Sequence, residues 1–454
     1  MTTSRSVRGL AALAAGALLW GLSAGPAAAD SDREAQWVLK NYGMAERVWP
    51  TSQGEGVIVA VIDTGVDANH PDLVGQVLPG LDLTNAGTDG RVDSKGHGTA
   101  MASDIAAHGH GSNAGVMGLA PKAKILPVRI DLGGEGEVVA GNDMAVGKAI
   151  RFAVDHGAKV INMSFDGGSS LDPGYRESIE YAIQKDVVLV AGSGNSANFP
   201  TGYPANFPGV VVVSGITESG DMWPKSTVGP VVTLAAPAEN IHNADLNNRY
   251  GTGNGTSDSA AFVSGIAALV RSKYPNLSAG QVINRMTKSA VQPDGKGPFP
   301  NDKYGYGIVS PAGSLAANPA VDNGPKENPL LNRPEPGKAP TGGAADPAKT
   351  PAAGGADSPQ ASSDSGSSSG MLMAVGGGVL GVLVIVLIVV LARRSKKGGN
   401  GGGPGGSGGP GAPGGPGYGQ QPPPGYGQQQ PPVGYPQQQY PPQQPPAGGN
   451  PYQR

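Results

Sequence analysis

Three short segments carry residues that could do chemistry together: Val61-Ile62-Asp63-Thr64-Gly65, Gly96-His97-Gly98-Thr99 and Gly255-Thr256-Ser257. A serine hydroxyl is a poor nucleophile until a neighbouring imidazole takes its proton. The imidazole in turn needs a carboxylate to fix its tautomer and stabilise its charged form. The flanking glycines let a substrate backbone come close. This set points to nucleophilic acyl transfer, with Ser257 as nucleophile, His97 as base and then acid, and Asp63 as orienter. The chain has no cysteine, which excludes disulfides, thiol catalysis and Cys-ligated zinc. A net charge of −3 gives no indication of nucleic acid as a partner.

Those side chains need elements to hold them. Apolar, β-branched runs at 57–62, 125–130, 159–163, 187–191 and 210–216 predict strands, and helical patterns at 143–155 and 175–185 lie between several of them. Strands apolar on both faces, alternating with helices, predict an α/β fold of three layers, α/β/α, around a mostly parallel sheet. Asp63 then ends a strand, where open α/β sheets place their sites. Ser257 opens a helix predicted over 256–274, whose N-terminal dipole favours developing negative charge. His97 opens another that continues through 107, and a helix over 279–290 closes the domain.

With their surroundings, the three segments resemble the subtilases, the subtilisin-like serine proteases, over most of residues 36–318. The first runs from Val59 to Asp67 and on through His70-Pro71-Asp72-Leu73, and the third includes Gly253-Asn254. The order Asp, His, Ser, with separations of 34 and 160 residues, is that family's order. Trypsin-like proteases have His, Asp, Ser, and α/β-hydrolases Ser, Asp, His. The resemblance implies a serine endopeptidase acting on polypeptides through an acyl-enzyme and requiring no cofactor. It implies that Asn195, in Gly192-Ser193-Gly194-Asn195, donates to the oxyanion, with the Ser257 backbone N–H as second donor. It implies that residues 160–164 pair with an extended substrate and that Leu132-Gly133-Gly134 forms the opposite rim. The Tyr203-Pro204 turn, often cis in the family, would lie beside the specificity pocket. Asp72 and Asn113, with Gln36, fall where many subtilases hold a structural calcium, although the loop at 108–114 lacks the dense acidic cluster that would argue for calcium by itself. His108 and His110 lack a third ligand for a transition metal.

Three departures from the family pattern stand out. Where the family commonly has Gly-Thr-Ser-Met-Ala and then Pro, this chain has Asp258, Ser259 and Ala261. Ser164-Phe165-Asp166 stands where Ser-Leu-Gly is common, and Ala100 where a second His is usual. Gly133, Ser164, Phe165, Asp166 and Asp258 are thus the candidate substrate contacts. Asp166 and Asp258 would place two carboxylates near the cleft, which predicts a preference for Lys or Arg near the scissile bond and a raised His97 pKa. The alternative, that both acids face solvent, stays open.

The two ends carry targeting signals. Residues 1–29 form a signal peptide: Arg5 and Arg8, an uncharged stretch at 10–22, then Ala27-Ala28-Ala29. The peptidase domain is expected at 30–318, followed by a Pro/Ala/Gly/Ser-rich linker at 319–370 without periodicity. Residues 371–392 carry no charge and reach roughly 33 Å as a helix, enough to cross a bilayer. Arg393, Arg394, Lys396 and Lys397 follow, and the positive-inside rule places the Gly/Pro/Gln-rich tail, 393–454, in the cytoplasm as a disordered extension. The expectation is a single-pass protein of the cell membrane with its catalytic domain outside. Only a few residues separate Ala29 from Gln36, too few for the inhibitory prodomain of many secreted subtilases. That feature, the segment Gln36-Trp37-Val38-Leu39 and the C-terminal anchor resemble the mycosins, the membrane-anchored subtilases of type VII secretion systems, although mycosins usually contain cysteine. Two other roles stay open: a scaffold or substrate-capturing component of a secretion complex with catalysis dispensable, and a general surface protease.

Overall fold

Strands with β-branched residues at successive positions bury both faces of a sheet, and the central strands of this chain do so. A computed structural model describes residues 31–335 apart from 85, 112, 134–142, 168–172 and 198. The strands are β1 (Ile58–Asp63), β2 (Leu81–Asp82), β3 (His108–His110), β4 (Ala114–Met117), β5 (Lys124–Arg129), β6 (Val160–Met163), β7 (Val188–Gly192), β8 (Val211–Ile216), β9 (Leu234–Pro237), β10 (Ile241–Asp245) and β11 (Arg249–Gly253). Seven of them form one sheet in the order β2-β5-β1-β6-β7-β8-β9, with every neighbouring pair parallel. β3–β4 and β10–β11 are antiparallel hairpins.

Side chains alternate between two cores. Val59, Val61, Val188 and Val190 face one layer, while Ala60, Ile62, Leu189 and Ala191 face the other. The first layer holds the helices His97–Ala106, Thr256–Lys273 and Ala279–Lys288; the second holds Asp143–Asp155 and Pro173–Gln184. Parallel strands need such crossovers, and helices on both faces leave the strands apolar on both sides. The five expected strands and five expected helices all form within about two residues of their expected bounds. β1 lies between β5 and β6, so the strand order departs from it in both directions. The carboxyl end of such a strand opens onto a crevice, and Asp63 stands there.

The chain does not leave the domain at 318. Arg285 bonds the Asp322 carboxylate at 2.8 and 2.6 Å, anchoring the short helix Pro319–Asp322. Arg333 donates to the carbonyls of Ala205, Phe207, Val210 and Val231 at 2.8 to 3.1 Å. Glu335 pairs with Arg176 at 2.6 Å and accepts from the Tyr203 hydroxyl at 2.9 Å. Residues 319–335, expected as linker, are thus packed on the domain by guanidinium contacts together with the buried side chains of Val321 and Leu330. The signal peptide, the remaining linker, the span at 371–392 and the tail lie outside the described residues. Among the described residues no helix is long and apolar enough to cross a membrane.

Candidate active site

The histidine half of the site is built where β1 meets the helix His97–Ala106. Asp63 is fully buried, and its Oδ1 accepts the Thr64 N–H at 2.7 Å. His97 Nδ1 lies 2.8 and 2.9 Å from the two Asp63 oxygens. That contact places the proton on Nδ1 and leaves Nε2 as the acceptor. Gly96, before the helix, has no side chain to cap it, and Asp93 does so from the loop. Its Oδ1 takes the N–H groups of Lys95 and Gly96 at 2.9 and 3.0 Å, and its Oδ2 takes the Thr99 N–H and hydroxyl at 3.0 and 2.8 Å. The close approach explains two motif glycines: a Cβ on Gly98 would strike the Gly65 carbonyl, and Gly65 has φ 102° with the Val92 carbonyl against it.

The serine half is set by the helix Thr256–Lys273, in which Ser257 is the second residue. Its backbone N–H therefore has no intrahelical acceptor. Ser257 Oγ rests 3.3 Å from the Ser164 carbonyl. Beneath it runs a chain of hydrogen bonds: Ser264 donates to Asn162 Oδ1 at 3.1 Å, Asn162 Nδ2 to Ser164 Oγ at 2.9 Å, and Ser164 Oγ to the Ser257 carbonyl at 2.9 Å. This chain stitches the end of β6 to the helix. Asn195 Oδ1 accepts from the Thr256 N–H and hydroxyl at 2.9 and 3.0 Å. Both contacts fix the oxygen on the helix, so Nδ2 is the group left for the cleft.

His97, Ser257, Asn195, Leu132 and Gly133 line one cleft of about 980 Å³. The arrangement can deliver a hydroxyl to a carbonyl carbon, take up its proton, and meet the resulting oxyanion with N–H donors. Of the other expected contacts, Ser164 is buried under Ser257, and Phe165 is buried in the second core layer. Asp166 accepts the Gly167 N–H at 2.7 Å and approaches Gly202, beside the cis Tyr203–Pro204 bond. Phe165 and Asp166 are absent from the described lining of the cleft, and Gly134 lies outside the described residues.

Asp258 borders the cleft, as expected, but it is 4% exposed and also interacts with Asp104 behind it. Burial pushes its carboxyl up to about 6, opposed by a hydrogen bond with Asp104, the His97 charge and Asn243. Burial and the Asp258 charge push the Asp104 carboxyl well above the usual range. Burial lowers the His97 pKa, but the Asp63 charge and hydrogen bond, joined by Asp258 and Asp93, outweigh it and push His97 up to about 9. The raised His97 pKa thus draws on Asp258, as expected. Sequence reasoning missed Asp93, Asp104 and Asn243. An aspartate within the apolar helical run His97–Ala106 was the available signal for Asp104, since such residues are rarely buried unpaired.

Two of the candidate calcium ligands, Gln36 and Asp72, are held by protein hydrogen bonds. Gln36 pairs through both side-chain atoms with the Met117 backbone, at 2.8 and 2.9 Å. Asp72 Oδ1 contacts His110 Nδ1 at 2.5 Å, and its Oδ2 accepts the Val116 N–H at 2.8 Å. Asn113 follows residue 112, which is outside the described residues. Among the described residues no group of three or more His, Asp or Glu could hold a metal ion.

Residues 54–307, more than half of the chain, match the Subtilase family. Thermitase from Thermoactinomyces vulgaris is 35% identical over 264 residues, covering 57% of this chain and 91% of thermitase. Subtilisin DY from Bacillus licheniformis is 34% identical over 243 residues, covering 53% and 85% respectively. Among solved structures, MycP1 from the ESX-1 type VII secretion system aligns with TM-score 0.57 at 28% identity, over 67% of this chain and 91% of that one. MycP1 from Mycobacterium smegmatis aligns with TM-score 0.55 at 27% identity, over 67% and 89%. Parallel sheet, cleft and relatives agree: the chain belongs to the subtilase family and is a subtilisin-like serine endopeptidase.

Proposed function

We propose that Ser257 attacks the scissile carbonyl, that His97 takes its proton and returns it to the leaving amine, and that Asp63 holds the imidazole and stabilises its charged form. The bidentate approach of His97 Nδ1 to Asp63, at 2.8 and 2.9 Å in the cleft that also holds Ser257, carries this reading. Attack requires the Ser257 hydroxyl to turn from the Ser164 carbonyl toward His97 Nε2, a rotation about one side-chain bond. Asn195 Nδ2 and the Ser257 N–H would then meet the oxyanion. Water repeats the sequence on the acyl-enzyme and releases the acid. A fluorophosphonate probe tests the assignment: labelling of the wild type that vanishes in Ser257→Ala supports it, and absence of labelling in folded wild type overturns it in favour of a scaffold role.

The same proposal places the domain outside the cell, anchored by residues 371–392 with the tail in the cytoplasm. An uncharged stretch followed at once by four basic residues supports it. Likeness to MycP1 of the ESX-1 type VII secretion system supports substrates among the proteins or components of such a machine. Protease digestion of intact cells that spares the domain would refute the topology. Secreted and surface proteins left unchanged in a Ser257→Ala strain would refute the secretion role.

A further inference from the structure

Two carboxyls outside the proposed triad meet behind it. Asp104 lies near the end of the helix that His97 begins, and Asp258 follows Ser257 in the other helix. The two helices pack closely, with Gly265 against Ile105. Asp104 is 1% exposed and Asp258 4%. Asn243 Nδ2, on β10, reaches Asp258 Oδ1 at 3.1 Å and Asp104 Oδ2 at 3.5 Å, bridging the pair. Asp104 Oδ1 is buried with no donor among the described residues. The two carboxyls lie within hydrogen-bonding reach of each other. Two ionised carboxylates would face each other as acceptors only, and buried like charges this close do not both ionise. One proton between them removes that repulsion and supplies the donor the pair lacks.

We propose that Asp104 and Asp258 share a single proton, and that the negative charge left on the pair acts as a positioning charge for the His97 imidazolium formed when Ser257 is deprotonated. The inference rests on the reading of His97 and Ser257 as the reacting groups. Nearby charges do not cancel the pair. Asp63 and Asp93, the other acids acting on His97, have the same sign. On β10, Asp245 is paired with Arg249 at 3.2 Å and His242 with Asp32 at 2.9 Å. Lys95 is turned to Asp131 at 3.5 Å, and Lys225 and Glu239 line other parts of the cleft with opposite charges. A fixed anion beside the imidazole favours its charged form in the transition state. The same charge makes the free imidazole harder to deprotonate.

The two aspartates therefore have unequal effects. Asp258 carries the charge that acts on His97, whereas Asp104, the more strongly raised carboxyl, holds the proton. In the full chain, Asp258→Asn should move the acidic limb of the kcat/KM profile down by about one pH unit, and the double variant with Asp104→Asn should match it. Asp104→Asn alone leaves the charge on Asp258 and should leave that limb in place or raise it. Coincident limbs for wild type and Asp258→Asn would overturn the proposal. Should Asp258→Asn fail to fold, infrared spectroscopy of the wild type at neutral pH decides. A protonated buried carboxyl band, lost in Asp104→Asn, is expected, and its absence from the wild type is fatal to the idea. An NMR titration of His97 in Ser257→Ala, with and without Asp258→Asn, separates this proposal from the protease reading. It reports the pair's charge even if the wild type cleaves nothing, and an unmoved titration again rejects the pair.

Discussion

Of three imidazole–carboxylate pairs among the described residues, two have a fully buried aspartate, and only one of those sits where chemistry can follow. His97 meets Asp63 at 2.8 Å and His110 meets Asp72 at 2.5 Å; both aspartates are fully buried, and the imidazoles are 33% and 40% exposed. The pairs alone are the same device. Their surroundings differ. Asp63 ends β1 at the point where strand order diverges, and its histidine shares a cleft with Ser257 and Asn195. Asp72 spends its second oxygen on the Val116 N–H and its carbonyl on the His108 N–H at 2.9 Å, so it fastens the β3–β4 hairpin. A buried Asp–His contact becomes catalytic only when the far nitrogen faces a group with a proton to give.

The sharpest way to break that comparison is to remove the third partner. Ser257→Ala should lower kcat by on the order of 10⁶, measured against a peptide ester or amide. Next, Asp63→Asn should cost about 10⁴ in kcat with the fold intact. Asp72→Asn should leave kcat within a few-fold and instead lower unfolding stability by about 1–3 kcal/mol in urea titrations. Comparable activity losses in the two variants would erase the distinction. Asn195→Ala should cost about 10²–10³ in kcat with little change in KM, because its amide meets the oxyanion and not the ground-state carbonyl.

The pH dependence sharpens the contrast further. With His97 pushed to about 9, kcat/KM should fall roughly ten-fold per unit of pH below that value, because the imidazolium cannot accept the serine proton. Stability moves the other way. A histidine raised from 6.5 to about 9 contributes stability that is fully present below 6.5 and lost as the pH rises through 9. Denaturant titrations of Ser257→Ala across that window should show the loss, and stability rising with pH there would contradict it. The smallest effect is expected at Asp166. Asp166→Asn should cut any preference for Lys or Arg substrates by about ten-fold or less, since the carboxylate is partly solvated. A peptide library with unchanged preference would remove Asp166 from specificity.

Much of this was legible along the chain because its signals are local. β-branched runs announced β1 and β5 to β8, and glycines beside Asp63 and His97 marked a close crossing of backbone. What stayed hidden depends on contacts distant in sequence. Asp104 and Asp258 become a pair only through the packing of two helices, with Asn243 arriving from a hairpin that has no strong strand signature. β9, Leu-Ala-Ala-Pro, has neither β-branching nor alternation and is a strand because β8 pairs with it. Asp258 borders the cleft beside Ser257, but its second contact, with Asp104 and Asn243, depends on helix packing that a neighbour in sequence does not show.

Arg333 has a mechanical meaning. Its guanidinium grips four main-chain carbonyls around Ala205, Phe207, Val210 and Val231, and Glu335 is tied to Arg176 and Tyr203. Traction on the chain beyond Glu335 is met there first, on the side of the helix Pro173–Gln184. The helix that carries Ser257 takes none of that load directly. Were residues 371–392 to anchor the chain as proposed, the grip would work as a strain relief, keeping a pull on the chain from misaligning a hydroxyl and an imidazole.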